Sequence, residues 1–117
     1  MRNKEHLLFV CTSNLDRSPC AESLFESNEE YEAKSCGLFP HAEIQISKSL
    51  ISWADIIFVM DERNEQHKTQ LLKRFPEAWD KSIIILNIPN TYCRNDPELL
   101  SLLKQKLKDF LGEERVK

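Results

Sequence analysis

Cys11 and Arg17 stand six positions apart, with Thr12, Ser13, Asn14, Leu15 and Asp16 between them, the apolar run Leu7-Leu8-Phe9-Val10 in front and Ser18-Pro19 behind. A cysteine that ends a strand-like run and leads through a short loop into a helix start is suited to handling phosphate. Five intervening residues can curl so that their backbone N–H groups converge on one anion, with the sulfur beneath it and a guanidinium closing the ring. In that arrangement Cys11 attacks phosphorus as a thiolate, and Arg17 grips two phosphoryl oxygens through its planar fork. Thr12, Ser13, Leu15 and Asp16 contribute mainly backbone N–H groups. Cys20, Cys36 and Cys93 have Glu26, Ala42 and Leu99 at the same offset, so the spacing singles out Cys11. The plainer alternative is a buried strand cysteine followed by an ordinary loop.

The surrounding sequence alternates strand and helix signals. Apolar or β-branched runs fall at residues 7–11, 31–35, 56–60 and 83–86, and helical patterns lie between most of them. Two of the runs, 56–60 and 83–86, are apolar throughout, as expected of parallel strands covered on both faces. Ser18 as N-cap and Pro19 in the first helical position open a helix whose Ala21, Leu24 and Phe25 share one face. A short helix is expected at 47–54 and a longer surface helix at 62–75, burying Leu71, Leu72 and Phe75 and ended by Pro76. The last helix is capped by Asn95 or Asp96, carries Pro97 and Glu98 in its first turn, buries Leu99, Leu103, Leu107 and Phe110, and stops at Gly112. This pattern implies an α/β fold in three layers, a parallel sheet between helices. Such sheets bind ligands at the carboxyl ends of their strands, beside the reversal of strand order, and the first strand ends at Cys11.

With 117 residues, 13.7 kDa and 41% hydrophobic content, the chain suits one domain over residues 1–117. Sixteen basic against nineteen acidic residues, without a basic run, argue against nucleic acid or a membrane surface as partner. The amino-terminal apolar stretch is too short for a signal peptide or a membrane span, so a cytoplasmic location is expected. The four cysteines form no C-x-x-C pair and read as free thiols. His6, His41 and His67 lack metal-ligand spacing, so neither metal nor other cofactor is expected. No Walker-type G-x-x-x-x-G-K-[ST] motif occurs.

The run Val10-Cys11-Thr12-Ser13-Asn14-Leu15-Asp16-Arg17-Ser18-Pro19, with the following Ala21-Glu22, resembles the signature of the low-molecular-weight protein tyrosine phosphatases. Ser35-Cys36-Gly37 resembles the small-residue turn after that family's second strand. Residues 53–62, from Trp53 to Glu62, resemble its third strand and following turn, and Ile88-Pro89-Asn90-Thr91-Tyr92 falls where it carries its acid loop. The chain is shorter than typical members, as in a compact bacterial branch. The resemblance implies a four-stranded parallel sheet and a two-step reaction through a cysteinyl-phosphate. Ser18 would then donate its hydroxyl to the sulfur, beside or instead of capping the helix. Asn14 would brace the loop from a left-handed conformation.

Three positions carry departures or open choices. Asp16 stands where the family often has cysteine, and a carboxylate beside a dianion is tolerable only if it faces solvent or pairs with a cation. Asn90 stands where the family usually has the aspartate that protonates the leaving group, and an amide cannot do so. Losing a positioned acid typically forfeits about 10²–10⁴-fold in rate. Asp96 either replaces that acid or caps the last helix, and Asp61 either braces the phosphate loop or caps a helix starting at Glu62. Phe39 and Tyr92 either wall a phenyl ring or pack.

These residues imply a cysteine-dependent phosphomonoesterase for phosphotyrosine, borne by a protein, or for a small aryl phosphate, with Asn90 slowing the reaction. The alternative is a phosphate- or phosphotyrosine-binding module without turnover. Arsenate reduction is disfavoured, because its disulfide relay needs two cysteines after the third strand and only Cys93 lies there.

Overall fold

Alternate side chains of the first strand enter opposite layers, and this sets the architecture. In the computed structural model, which describes residues 4–112, β1 (Glu5–Cys11) pairs in parallel with β2 (Tyr31–Gly37) on one side and β3 (Ile56–Val59) on the other. β4 (Ser82–Ile85) adds beyond β3, so the sheet order is β2-β1-β3-β4 and all strands are parallel. The chain leaves β1 in one direction and returns on the other side of it for β3, which places the reversal of strand order at the carboxyl end of β1.

Leu7, Phe9 and Cys11 point into a cluster built with α1 (Arg17–Ser23) and α4 (Pro97–Leu111). Leu8 and Val10 point into the other, built with α2 (Lys48–Trp53), α3 (His67–Arg74) and the 3-10 turn Pro76–Asp80. Strands covered on both faces must be apolar at every position, which is why β1 and β3 read as continuous runs. Phe9 stacks on Phe58 at 5.1 Å and on Phe25 at 5.8 Å between centroids, tying the two central strands to the segment after α1.

The helices depart from the sequence reading in three places. α1 starts at Arg17 with Asp16 at its N-cap position, so Ser18 lies inside the helix and does not cap it. α3 starts at His67 rather than at 62, because Asp61 Oδ2 accepts from the N–H groups of Asn64 (2.9 Å) and Glu65 (2.6 Å) and folds residues 61–65 into a turn. Asp61 is therefore not the cap of a helix beginning at Glu62, whose own carboxylate turns forward to the N–H and hydroxyl of Thr69. In α4 the buried stripe is Leu99, Leu103, Leu107 and Leu111, while Phe110 is 51% exposed and meets Phe58 only edge-on. Asp96 caps α4, accepting from Glu98 N–H at 2.9 Å, and Gly112 ends it with φ +93°.

Truncating the buried stripe is expected to cost more than truncating its exposed neighbour. Leu103→Ala should lower unfolding free energy in urea by about 2–5 kcal/mol. Phe110→Ala should lower it by about 1 kcal/mol or less.

Candidate active site

The loop after β1 is held open from the outside. Carbonyl oxygens of Cys11, Thr12 and Ser13 accept from the N–H groups of Leu38 (3.0 Å), Phe39 (3.0 Å) and Glu43 (3.3 Å), all in the connection that follows β2. In a trans peptide the N–H points opposite to the preceding C=O, so three carbonyls turned outward turn the next three N–H groups inward. The last of these, Asn14 N–H, reaches Cys11 Sγ at 3.2 Å. Among the described residues, the backbone N–H groups of Ser13, Leu15, Asp16 and Arg17 donate to no protein acceptor. They form a nest for an anion. The loop lies so close to β2 that a Cβ on Gly37 would stand 2.7 Å from Thr12 O and 2.9 Å from Asn14 N.

Asn14 makes the turn possible. Its φ of 57° is left-handed, and its side chain bridges the loop, accepting from Ile44 N–H (3.2 Å) and donating to Ser18 Oγ (2.9 Å). Because the Ser18 oxygen accepts there, its hydroxyl hydrogen is free to point at Cys11 Sγ, 2.9 Å away, with Cys36 O a longer alternative at 3.4 Å. The sulfur thus meets two donors, Ser18 O–H and Asn14 N–H. Cys36, packed on the opposite side of the sheet, has its thiol pushed up by burial and by the neighbouring Cys11 charge.

Arg17 is 3% exposed and closes the ring. Its Nη1 and Nη2 each lie 2.7 Å from an oxygen of Glu65, and Nη1 also donates to Ile88 O at 2.9 Å. Glu65 Oε1 further accepts from Thr12 Oγ1 at 2.7 Å, and Thr12 Oγ1 meets His67 Nε2 at 2.9 Å. His67 Nδ1 accepts from Asp61 N–H, so the neutral ring carries its proton on Nε2 and donates it to Thr12. Burial holds the His67 pKa down, helped by Arg17 and opposed by Glu65 and Asp61. Partial burial pushes Glu65 up, but its bonds to Arg17 and Thr12, with the Arg17 charge, outweigh this and leave it below the ordinary carboxylate range.

A cavity of about 540 Å³ opens over this ring, lined among others by Cys11, Arg17, Glu65, Phe39, Leu15 and Asn90. Leu15 and Phe39 are about half exposed at its mouth. Tyr92 does not line it and packs against the core beside α4. Asp96 does not line it either; its carboxylate is occupied as the α4 cap. Asp16 neither faces only solvent nor pairs with a cationic side chain. Its Oδ1 accepts from the backbone N–H of Arg94 at 2.8 Å and ties the loop after β1 to the connection between β4 and α4. Glu65 and His67 were invisible as site residues in the sequence, because a helix reading over 62–75 put Glu65 on a solvated face. The available signal was Asp61 followed three residues later by Asn64, an Asx-type turn.

No family model matches the chain. A protein-arginine-phosphatase of Geobacillus stearothermophilus is 32% identical, the match covering 68% of each chain. The chain belongs to the low-molecular-weight protein tyrosine phosphatase family. The solved YwlE arginine phosphatase from the same organism superimposes with a TM-score of 0.67 at 29% identity, covering 94% of each chain. The low-molecular-weight protein tyrosine phosphatase SP-PTP of Streptococcus pyogenes shares the fold, with a TM-score of 0.75 at 21% identity over 92% of this chain and 91% of that one. The relatives on both sides of this comparison are phosphatases.

Two outcomes follow from the site's packing. Gly37→Ala should force the loop away from β2, costing about 1–3 kcal/mol of stability and removing inorganic phosphate binding, as read by calorimetry. Because the folded state holds the His67 and Glu65 pKa values below 6.5 and 4.5, the unfolded chain binds more protons at these sites. Stability should therefore be full above pH 6.5 and fall on acidification, first through His67 and then, below pH 4.5, through Glu65. Urea unfolding across pH with His67→Gln should lack the first component.

Proposed function

We propose that this chain is a cysteine-dependent phosphomonoesterase that takes aryl phosphates, phosphotyrosine among them, through a cysteinyl-phosphate. The observation that carries this reading is Cys11 Sγ held by Ser18 O–H and Asn14 N–H at the base of a nest of unpaired amides. The phosphoryl group enters the nest, Cys11 attacks phosphorus, and the aryl oxygen leaves with the electron pair of the P–O bond. Water then attacks the cysteinyl-phosphate, and the expelled sulfur is stabilised by the same two donors. Half-exposed Leu15 and Phe39 at the mouth offer apolar walls for a ring.

Asn90 lines the cavity but brings no proton, so leaving groups that depart as stable anions are favoured. A second reading is phosphoarginine, favoured by the arginine phosphatase among the relatives and by the acidic Asp16 in the lining. A third is phosphate binding without turnover, favoured by Asn90. Side-by-side hydrolysis of p-nitrophenyl phosphate, a phosphotyrosine peptide and a phosphoarginine peptide separates them. The aryl reading expects the first two to be cleaved faster than the third; faster phosphoarginine cleavage selects the second reading, and binding without release of phosphate selects the third.

Restoring the acid tests the role of Asn90. Asn90→Asp should raise turnover of the phosphotyrosine peptide by about 10²-fold or more, and that of p-nitrophenyl phosphate much less. Asp96→Asn, at the α4 cap, should leave both rates unchanged.

A further inference from the structure

A guanidinium has five N–H hydrogens: two on each terminal nitrogen and one on Nε. In Arg17 both Nη1 hydrogens are taken, one by Glu65 Oε2 and one by Ile88 O, and one Nη2 hydrogen goes to Glu65 Oε1. The two that remain, Nε–H and the second Nη2–H, lie along one edge of the plane and form a second parallel fork. No protein acceptor meets Nε–H among the described residues, and no side-chain nitrogen in them is both buried and unpartnered, so Nε is not sealed from solvent, and Arg17 lines the cavity. A carboxylate that takes the end-on fork while leaving the side-on fork free fixes the direction in which the guanidinium faces.

We propose that Glu65 is the positioning residue of the site, aiming the Nε–Nη2 edge of Arg17 into the amide nest as the fork that receives two phosphoryl oxygens. The proposal rests on the phosphatase reading and adds to it the residue that orients the phosphate clamp. Glu65 is itself aimed from several sides. Asp61 Oδ2 holds its N–H, Gln70 Nε2 donates to its carbonyl at 2.7 Å, and Thr12 holds Oε1 under the direction of His67. A carboxylate fixed by this many bonds is a poor candidate for leaving when substrate arrives. Its charge, 21% exposed, also compensates that of a buried guanidinium before phosphate binds.

The opposite possibility is that Glu65 occupies Arg17 in place of phosphate and competes with it. The two ideas differ in sign. Inorganic phosphate binding to the whole chain is measured by calorimetry for wild type, Glu65→Gln and Thr12→Val, with the Arg17 Nε–H resonance followed by NMR during each titration. Positioning predicts about 10- to 100-fold weaker binding for Glu65→Gln, a smaller loss for Thr12→Val, and a phosphate-dependent shift of Arg17 Nε–H that is large in wild type and diminished in Glu65→Gln. A merely structural role would not move that resonance selectively. Should Glu65→Gln fail to fold, Thr12→Val, which keeps both charges, carries the test through the same resonance. Tighter or unchanged binding in the folded variants, with wild type binding phosphate, overturns the positioning role alone. Absence of phosphate binding and of turnover in wild type overturns the phosphatase reading with it.

Discussion

Seven residues, Cys11 to Arg17, form one curl, and they hold that shape because their outward carbonyls are bonded to the connection after β2. A loop of converging N–H dipoles repels itself, so it persists only when its other polar groups are satisfied elsewhere. Leu38, Phe39 and Glu43 supply those donors, Asn14 adopts the left-handed turn, and Gly37 leaves room for the approach. Every chemical property of the site follows from this curl: the donors at Cys11 Sγ, the unpaired amides, and the entry of Arg17 from the first turn of α1.

The remaining strand ends are drawn to the same point. The turn after β3 brings Glu65, and the segment after β4 brings Ile88 O to Arg17 and Arg94 N–H to Asp16. Asn95 N–H reaches Cys20 Sγ at 3.0 Å, joining the start of α4 to α1. Two connections that are far apart in sequence, after β3 and after β4, therefore share one arginine and its helix. The site is built on rigid elements, which suits a mechanism relying on pre-arranged donors rather than on a moving group.

What was legible in the sequence was local. A strand ending at Cys11, a helix opening near Arg17, continuous apolar runs in β3 and β4, and the cap and stop of α4 all come from neighbours within a few residues. The misread features depend on distant partners. Ser18 looks like an N-cap until Cys11 and Asn14 claim its hydroxyl. Asp16 looks isolated until a backbone N–H 78 positions away meets it, and backbone donors leave no mark on residue type. Glu65 is hidden because Asp61 turns the chain just before it, moving α3 to His67 and turning an expected surface residue into the partner of Arg17. Phe110 and Leu111 both fit a helical stripe, and packing chooses Leu111.

In the proposed reaction Cys11 takes the phosphoryl group onto its own sulfur. Rapid acid quenching of the protein mixed with p-nitrophenyl phosphate, followed by peptide mass spectrometry, tests it most directly. The expected result is a phosphoryl group on the peptide bearing Cys11, appearing before inorganic phosphate is released. Release of nitrophenol without that adduct, or with the phosphoryl group on a different residue, contradicts it.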